Sequence, residues 1–178
     1  MNLLLKISKC INQLNLKIGH MISWLTLLLV ALNIIVVLLR YLLGSNSLAI
    51  QESIGYVHAI IFMLGLAYTM QRGGHVRVDI FYRGFSKRRQ ALIDLIGAVL
   101  FLLPFCGLIL FGSWDYVLES WKNKETSSEV SGLSTVYLLK TLMIIMPIAL
   151  ALQGIAQIIE SFALLKNADS NSSAKGGS

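Results

Sequence analysis

The side chains in this 178-residue sequence whose chemistry could go beyond packing are three histidines, two cysteines and a few amides. His20 and His58 fall inside long apolar runs, and histidine pairs between membrane helices are one way to ligate haem iron. Their depths exclude a shared iron. At 1.5 Å per residue, His20 lies ~3 Å inside one membrane boundary and His58 ~8 Å inside the other, which leaves ~20 Å between them. His20 with His75 stays geometrically open, and the expected role of each membrane histidine is an interhelical hydrogen bond. Gly73-Gly74-His75 is too short to cradle a phosphate. No nucleophile elbow, zinc-ligand spacing or cofactor fingerprint occurs, so no catalytic residue, cofactor or metal is assigned and the chain is not read as an enzyme. Cys10 lies in a basic stretch and Cys106 in the middle of an apolar run, depths too different for a disulfide.

The elements that carry these residues follow from composition. Apolar residues make up 56% of the chain, charged residues 13%, and the mean hydropathy is +0.71, which excludes an ordinary soluble domain and a disordered chain. Charge is costly at the bilayer centre, so charged residues mark the limits of the spans. Four uncharged runs remain, about 18–39, 53–71, 95–114 and 141–159. Each approaches the ~20 residues that cross ~30 Å of hydrocarbon as a helix. The fold class expected is an all-α integral membrane protein with four transmembrane helices and amphipathic interfacial segments. Its organisation is an N-terminal amphipathic segment (1–17), a membrane domain (18–160) and a disordered tail (161–178). The first run is longer than a signal-peptide core and lacks a small-x-small cleavage site, so it is read as a retained anchor.

Net charge is +6, yet the basic residues sit at the ends of apolar runs and not along a face interleaved with stacking aromatics, which argues against nucleic acid. Lys6, Lys9 and Lys17 precede the first span, and Arg72, Arg77, Arg83, Lys87, Arg88 and Arg89 fill the middle connector. The other connectors hold Arg40, Lys122, Lys124 and Lys140. The excess places both termini and the middle connector in the cytoplasm.

Leu4, Ile7, Ile11, Leu14 and Ile18 recur at helical spacing, with Lys6, Lys9, Asn12, Gln13 and Lys17 at other positions. This arm either lies in the interface or runs on into the first span. Val78, Phe81, Tyr82 and Phe85 form a second such stretch, which the glycine pair allows to leave the second span sharply. Trp114, Val117, Leu118 and Trp121 carry the third helix past Asp115, with the tryptophans as interfacial anchors, and Pro104 is expected to kink it. Asn33, Gln51, Gln153 and Gln157 are too costly to face lipid and should point into helix contacts; Gly154 beside Ala151 permits close approach. Asp94 reads as an electrostatic cap at a helix start. With no intramembrane ionisable pair and no broken helix, the chain is not expected to transport alone.

The residues resemble the small, DctQ-like membrane subunit of tripartite ATP-independent periplasmic (TRAP) transporters. Arg40-Tyr41 closes the first span and Gln51-Glu52 opens the second; Gly73-Gly74-His75-Val76-Arg77-Val78-Asp79 forms the middle connector. Glu129-Val130-Ser131-Gly132-Leu133 precedes Tyr137 and Lys140, and Pro147 and Gln153 lie in the last span. The likeness covers roughly residues 15 to 160, with the GGHVRVD string its most specific part.

The resemblance implies a multi-pass subunit of the bacterial inner membrane. It would be a scaffold for a large multi-span permease in secondary active, sodium-symport uptake of an organic acid delivered by a periplasmic substrate-binding protein. Membrane lipids are the remaining partner. Candidate subunit-contact or topology residues are Arg40, Glu52, His58, Gly73, Gly74, His75, Arg77, Asp79, Trp114, Glu119, Trp121, Glu129, Gly132, Lys140, Gln153 and Gln157. Arg40 could pair with Glu52 across the first outer connector, and Glu119, Glu125 and Glu129 could meet basic groups of the periplasmic partner. The competing readings are a self-sufficient four-span transporter and a haem-binding anchor of an electron-transfer complex.

Overall fold

Hydrocarbon offers backbone groups no partner, so each apolar run must close its hydrogen bonds within itself. In the computed structural model, which describes residues 2–44, 47–73, 84–129 and 131–175 with side chains from 3 to 166, they do so as helices. They are α1 (Asn2–Leu42), α2 (Leu48–Gln71), α3 (Lys87–Gly97), α4 (Leu103–Lys122) and α5 (Val136–Lys175). Four helical stretches are long and apolar enough to cross a membrane: Leu3–Leu42, Leu48–Gln71, Lys87–Lys122 and Val136–Lys166. No strand occurs among the described residues.

The N-terminal arm is continuous with the first span. α1 has 41 residues, ~60 Å of helix, about twice the hydrocarbon thickness. Its amphipathic pattern is used in reverse of a soluble helix. Leu4, Ile7 and Leu14 are exposed, whereas Ser8 is 1% and Asn15 4% exposed against the rest of the bundle. Lipid accepts the apolar stripe, and the short polar side chains find partners only inside.

α3 and α4 form one long helix interrupted by a π-helical turn, Ala98–Leu102. There the Leu103 N–H reaches back five residues to the Ala98 carbonyl. Pro104 follows at once, with no N–H to donate and a ring that crowds the carbonyl four residues earlier. The irregularity expected at Pro104 thus takes the form of a widened turn just before it.

α5 is the hub: it packs against all the other helices, while α1 packs against α2 and α5. A third of its most apolar stretch (33%) is buried, against 6% in α1 and in α2. Small residues let its neighbours approach. A Cβ on Gly154 would stand 2.6 Å from Leu102 Cδ2 in the π turn, and Ala156 is fully buried. Gly19 plays the same part in α1, where a Cβ would overlap the Tyr68 ring of α2. α5 also continues as helix through Ser161–Lys166, where the sequence reading began the tail, because Phe162, Ala163 and Leu165 prolong the apolar pattern.

α2 ends at Arg72 and Gly73. Gly73 has φ +68°, a left-handed conformation that favours glycine, and its N–H bonds the Met70 carbonyl at 3.0 Å. At the start of α3, Ser86 accepts the Arg89 N–H. Val78, Phe81 and Tyr82 of the second amphipathic stretch lie outside the described residues, and Phe85 is exposed.

Overpacking these two contacts should cost about 1–3 kcal/mol each. Gly19→Val and Gly154→Val are therefore expected to lower the thermal midpoint of the detergent-solubilised protein. Gly107→Ala, where no atom lies within 4 Å of the added carbon, should leave it unchanged or raise it. Equal behaviour of all three would show that the close approaches do not matter.

Candidate functional site

Polar side chains converge at the two ends of the bundle. At the end holding both termini, Asn12 and Asn15 of α1 face α5. Gln153, 4% exposed, accepts from Asn15 Nδ2 at 2.5 Å and donates through Nε2 to Asn12 Oδ1 at 3.0 Å. Two helical turns on, Glu160 Oε1 accepts from Ser8 Oγ at 2.6 Å and Asn12 Nδ2 at 2.7 Å. Gln71 of α2 joins through Nε2, bonded to the Asn12 carbonyl at 2.9 Å. Three helices are thereby tied by hydrogen bonds, of which the Asn15–Gln153 bond is buried and so strengthened by its low-dielectric surroundings. Beside them lies a cavity of about 210 Å³ lined by Asn12, Gln71, Gly73, Asp94, Gln153 and Gln157.

At the opposite end the connector from Asn123 to Thr135 folds back over α2. Glu52, near the start of α2, accepts from the Ser127 hydroxyl and, through Oε2, from the Leu133 N–H at 2.6 Å. The connector closes on itself around this carboxylate: Ser127 N–H bonds the Leu133 carbonyl at 3.0 Å and Gly132 N–H the Glu129 carbonyl at 3.0 Å. Gly132 is required by space. A Cβ there would collide with the Ser127 side chain and come within 2.7 Å of Glu52 Oε1. Lys140 at the base of α5 pairs with Glu125 at 2.5 Å and stands over the Tyr116 ring at 3.9 Å. The Lys140 ammonium holds the Glu125 carboxyl below the usual carboxylate range. Trp121 donates its indole N–H to Thr141 Oγ1 at 2.9 Å and meets the Tyr137 ring edge-on, with centroids 4.9 Å apart.

Several expected residues therefore have definite places. Gln153 bonds a neighbouring helix, as its cost in lipid requires, and Gln157 lines the cavity beside it. Glu52, Gly132 and Glu129 meet where the connector folds over α2, and Lys140 pairs with Glu125 at the same end of the bundle. Trp114 and Trp121 are partly exposed, and Trp121 is also bonded within the chain. Four expectations are corrected. Glu52 spends its oxygens on the connector, and Arg40, exposed at the end of α1, makes no ion pair with it. Glu125 belongs to Lys140, which leaves Glu119 and Glu129 as the exposed carboxylates of the three. The membrane histidines make no interhelical bond among the described residues: His20 Nδ1 meets the Leu16 carbonyl of its own helix at 2.8 Å, and His58 is exposed without a partner. Asn33 likewise faces outward and donates to the Leu29 carbonyl. Gly74, His75, Arg77 and Asp79 lie outside the described residues.

Sequence reasoning passed over Ser8, Asn12, Asn15, Ser127 and Glu160. For the first three a signal existed, since short polar residues at helical spacing on an otherwise apolar membrane helix mark an internal face. Ser127 had none, because its meeting with Glu52 is 75 residues long-range. Among the described residues no three His, Cys, Asp or Glu side chains converge as metal ligands. The two clusters can hold helices in register and shape the surface at each end of the bundle.

A family described as "Tripartite ATP-independent periplasmic transporters, DctQ component" matches residues 28–164. The C4-dicarboxylate TRAP transporter small permease protein DctQ of Vibrio cholerae serotype O1 (strain ATCC 39315 / El Tor Inaba N16961) is 32% identical over 80 residues, which are 45% of this chain. The aligned part spans 34% of that relative's length. No solved structure matches the chain.

The Glu52 clamp gives two expectations. Glu52→Ala should speed hydrogen exchange at the Leu133 amide while exchange in the middle of the helices stays slow; an unchanged connector would remove the clamp. Because the Glu125 carboxyl is lowered in the folded chain, its contact contributes fully above the ordinary glutamate value and is lost as pH falls through the lowered one. Protection of the connector amides, taken relative to their intrinsic exchange rates, should thus fall in acid, and Lys140→Met should remove the part due to Glu125 while leaving the part that follows from protonating Glu52.

Proposed function

The chain belongs to the DctQ component family of tripartite ATP-independent periplasmic transporters, and from that premise we propose that it is the small permease subunit that braces a large multi-span permease. The complex would take up a C4-dicarboxylate or a related organic anion across the bacterial inner membrane. Uptake would be driven by sodium and supplied by a periplasmic substrate-binding protein.

The observation that carries this reading is the closure of the bundle at both ends with no Asp, Glu, Lys or Arg in the spans between. A carrier that moves ions or anions itself needs a polar path or a broken helix near the midplane. A brace needs rigid register and wide apolar flanks. Hydrogen bonds from Gln153 and Glu52 supply the first. The second is supplied by α1, which has no buried residue after Ile22 among those described, and by the exposed Phe101, Phe105, Leu108 and Phe111 of the third span.

The excess of Lys and Arg before the first span and in the middle connector supports cytoplasmic termini. The Glu52 clamp then faces the periplasm, where the exposed carboxylates of Glu119 and Glu129 would meet basic groups of the binding protein.

Co-expression with the neighbouring transporter genes, purification through a tag in mild detergent and mass measurement of all eluted chains tests the reading. A stoichiometric, larger polytopic protein is expected, and loss of this chain should abolish sodium-dependent dicarboxylate uptake. Elution alone with transport in vesicles would overturn it. Glu119→Lys with Glu129→Lys should reduce uptake at unchanged expression, with relief at higher salt because the attraction is screened; unaltered uptake removes the docking role.

A further inference from the structure

We propose that the outward stripe of α2 formed by Gly55, His58 and Phe62 seats a transmembrane helix of the large permease subunit, with His58 hydrogen-bonded to a polar side chain of that helix. This rests on the reading of the chain as a TRAP small permease subunit.

The three positions are spaced i, i+3, i+7 and so share one face. α2 packs against α1 and α5, and this stripe lies on neither contact. Gly55 and His58 are exposed, and Phe62 is 61% exposed. His58 has no hydrogen bond or ion pair with any described residue. It lies six residues beyond Glu52, whose carboxylate is fixed in the outer connector. That places the imidazole ~9 Å deeper at the helical rise.

Hydrocarbon has no donor or acceptor for an imidazole at that depth, so the face needs a neighbour that brings one. His20 differs, since it sits near the membrane edge and reaches the Leu16 carbonyl. Gly55 adds a steric condition. No atom lies within 4 Å of a Cβ built there, so a partner's backbone can come close enough for its side chain to reach His58. Phe62, on the far side of the imidazole from Gly55, supplies apolar contact area and screens the bond from lipid. A second copy fits less well, because a parallel two-fold contact sets imidazole against imidazole and leaves one nitrogen of each ring unmatched. A heterologous helix is free of that symmetry.

The test uses the full chain co-expressed with its large permease. Gly55→Trp should cut the permease recovered per tagged chain at least 10-fold, and His58→Leu should cut it several-fold. Gly107→Trp, the same enlargement on α4 where no atom lies within 4 Å of an added carbon, should stay within 2-fold of the original. Undiminished recovery from both α2 variants, or equal loss from Gly107→Trp, overturns the assignment.

A photoreactive residue at Phe62, activated in intact cells, reads the occupant directly even where a variant folds poorly. An adduct of the 19.7 kDa chain with the large permease supports the proposal; an adduct at twice that mass, or with lipid alone, overturns it. If the unaltered chain recovers no permease at all, the subunit reading fails and this assignment falls with it. A failure confined to the α2 variants sinks the face and leaves the subunit reading standing.

Discussion

The bond set around Gln153 is the constraint on which the rest of the bundle depends. A carboxamide held at 4% exposure within an apolar helix carries two donors and an acceptor, and its burial is tolerable only if they are matched. Asn12 and Asn15 provide the match, and both lie on the arm that precedes the first span. That requirement makes the arm a continuation of α1 and sets its register against α5. With Asn12 and Asn15 placed, Ser8 falls one turn earlier against Glu160, and Gly19 one turn later against Tyr68. The apolar stripe of the arm is left facing outward.

The opposite end solves a different problem, because there a loop must be held and not a helix face. A single carboxylate, Glu52, gathers the Ser127 hydroxyl and the Leu133 amide and so joins the start of α2 to the connector between α4 and α5. Gly132 is the steric condition for that grip, and the Lys140–Glu125 pair anchors the near side of the same loop to α5. Between these two ends the chain relies on close packing. Leu102 in the π turn fits over Gly154, so the irregularity forced by Pro104 lies where the third span meets the hub helix. Polar bonds at both ends and small-residue contacts between them are a construction suited to a static subunit.

Orientation and shape also bear on one another. Exposed polar groups in a membrane protein signal a neighbour more directly than exposed apolar ones do, because lipid covers the latter at no cost. α1 and the third span display long apolar flanks that lipid alone can cover, whereas the imidazole of His58 has no such solvent.

Much of the architecture was legible without coordinates. Charge positions alone delimit four spans, since ionised groups are excluded from hydrocarbon, and the family likeness read from the sequence agrees with a family match over residues 28–164. The need of Gln153 for an interhelical partner also followed from residue type and depth. What tertiary structure decided was identity of partners. Glu52 meeting Ser127, Gly132 leaving room for that meeting, Glu125 being taken by Lys140 and Asn12 facing inward all depend on contacts across many residues. Helical periodicity shows that a face exists, but a membrane helix turns its apolar face to lipid and its polar face to protein. One amphipathic pattern therefore supports two opposite packings, and only the pairing of donors with acceptors across helices selects between them.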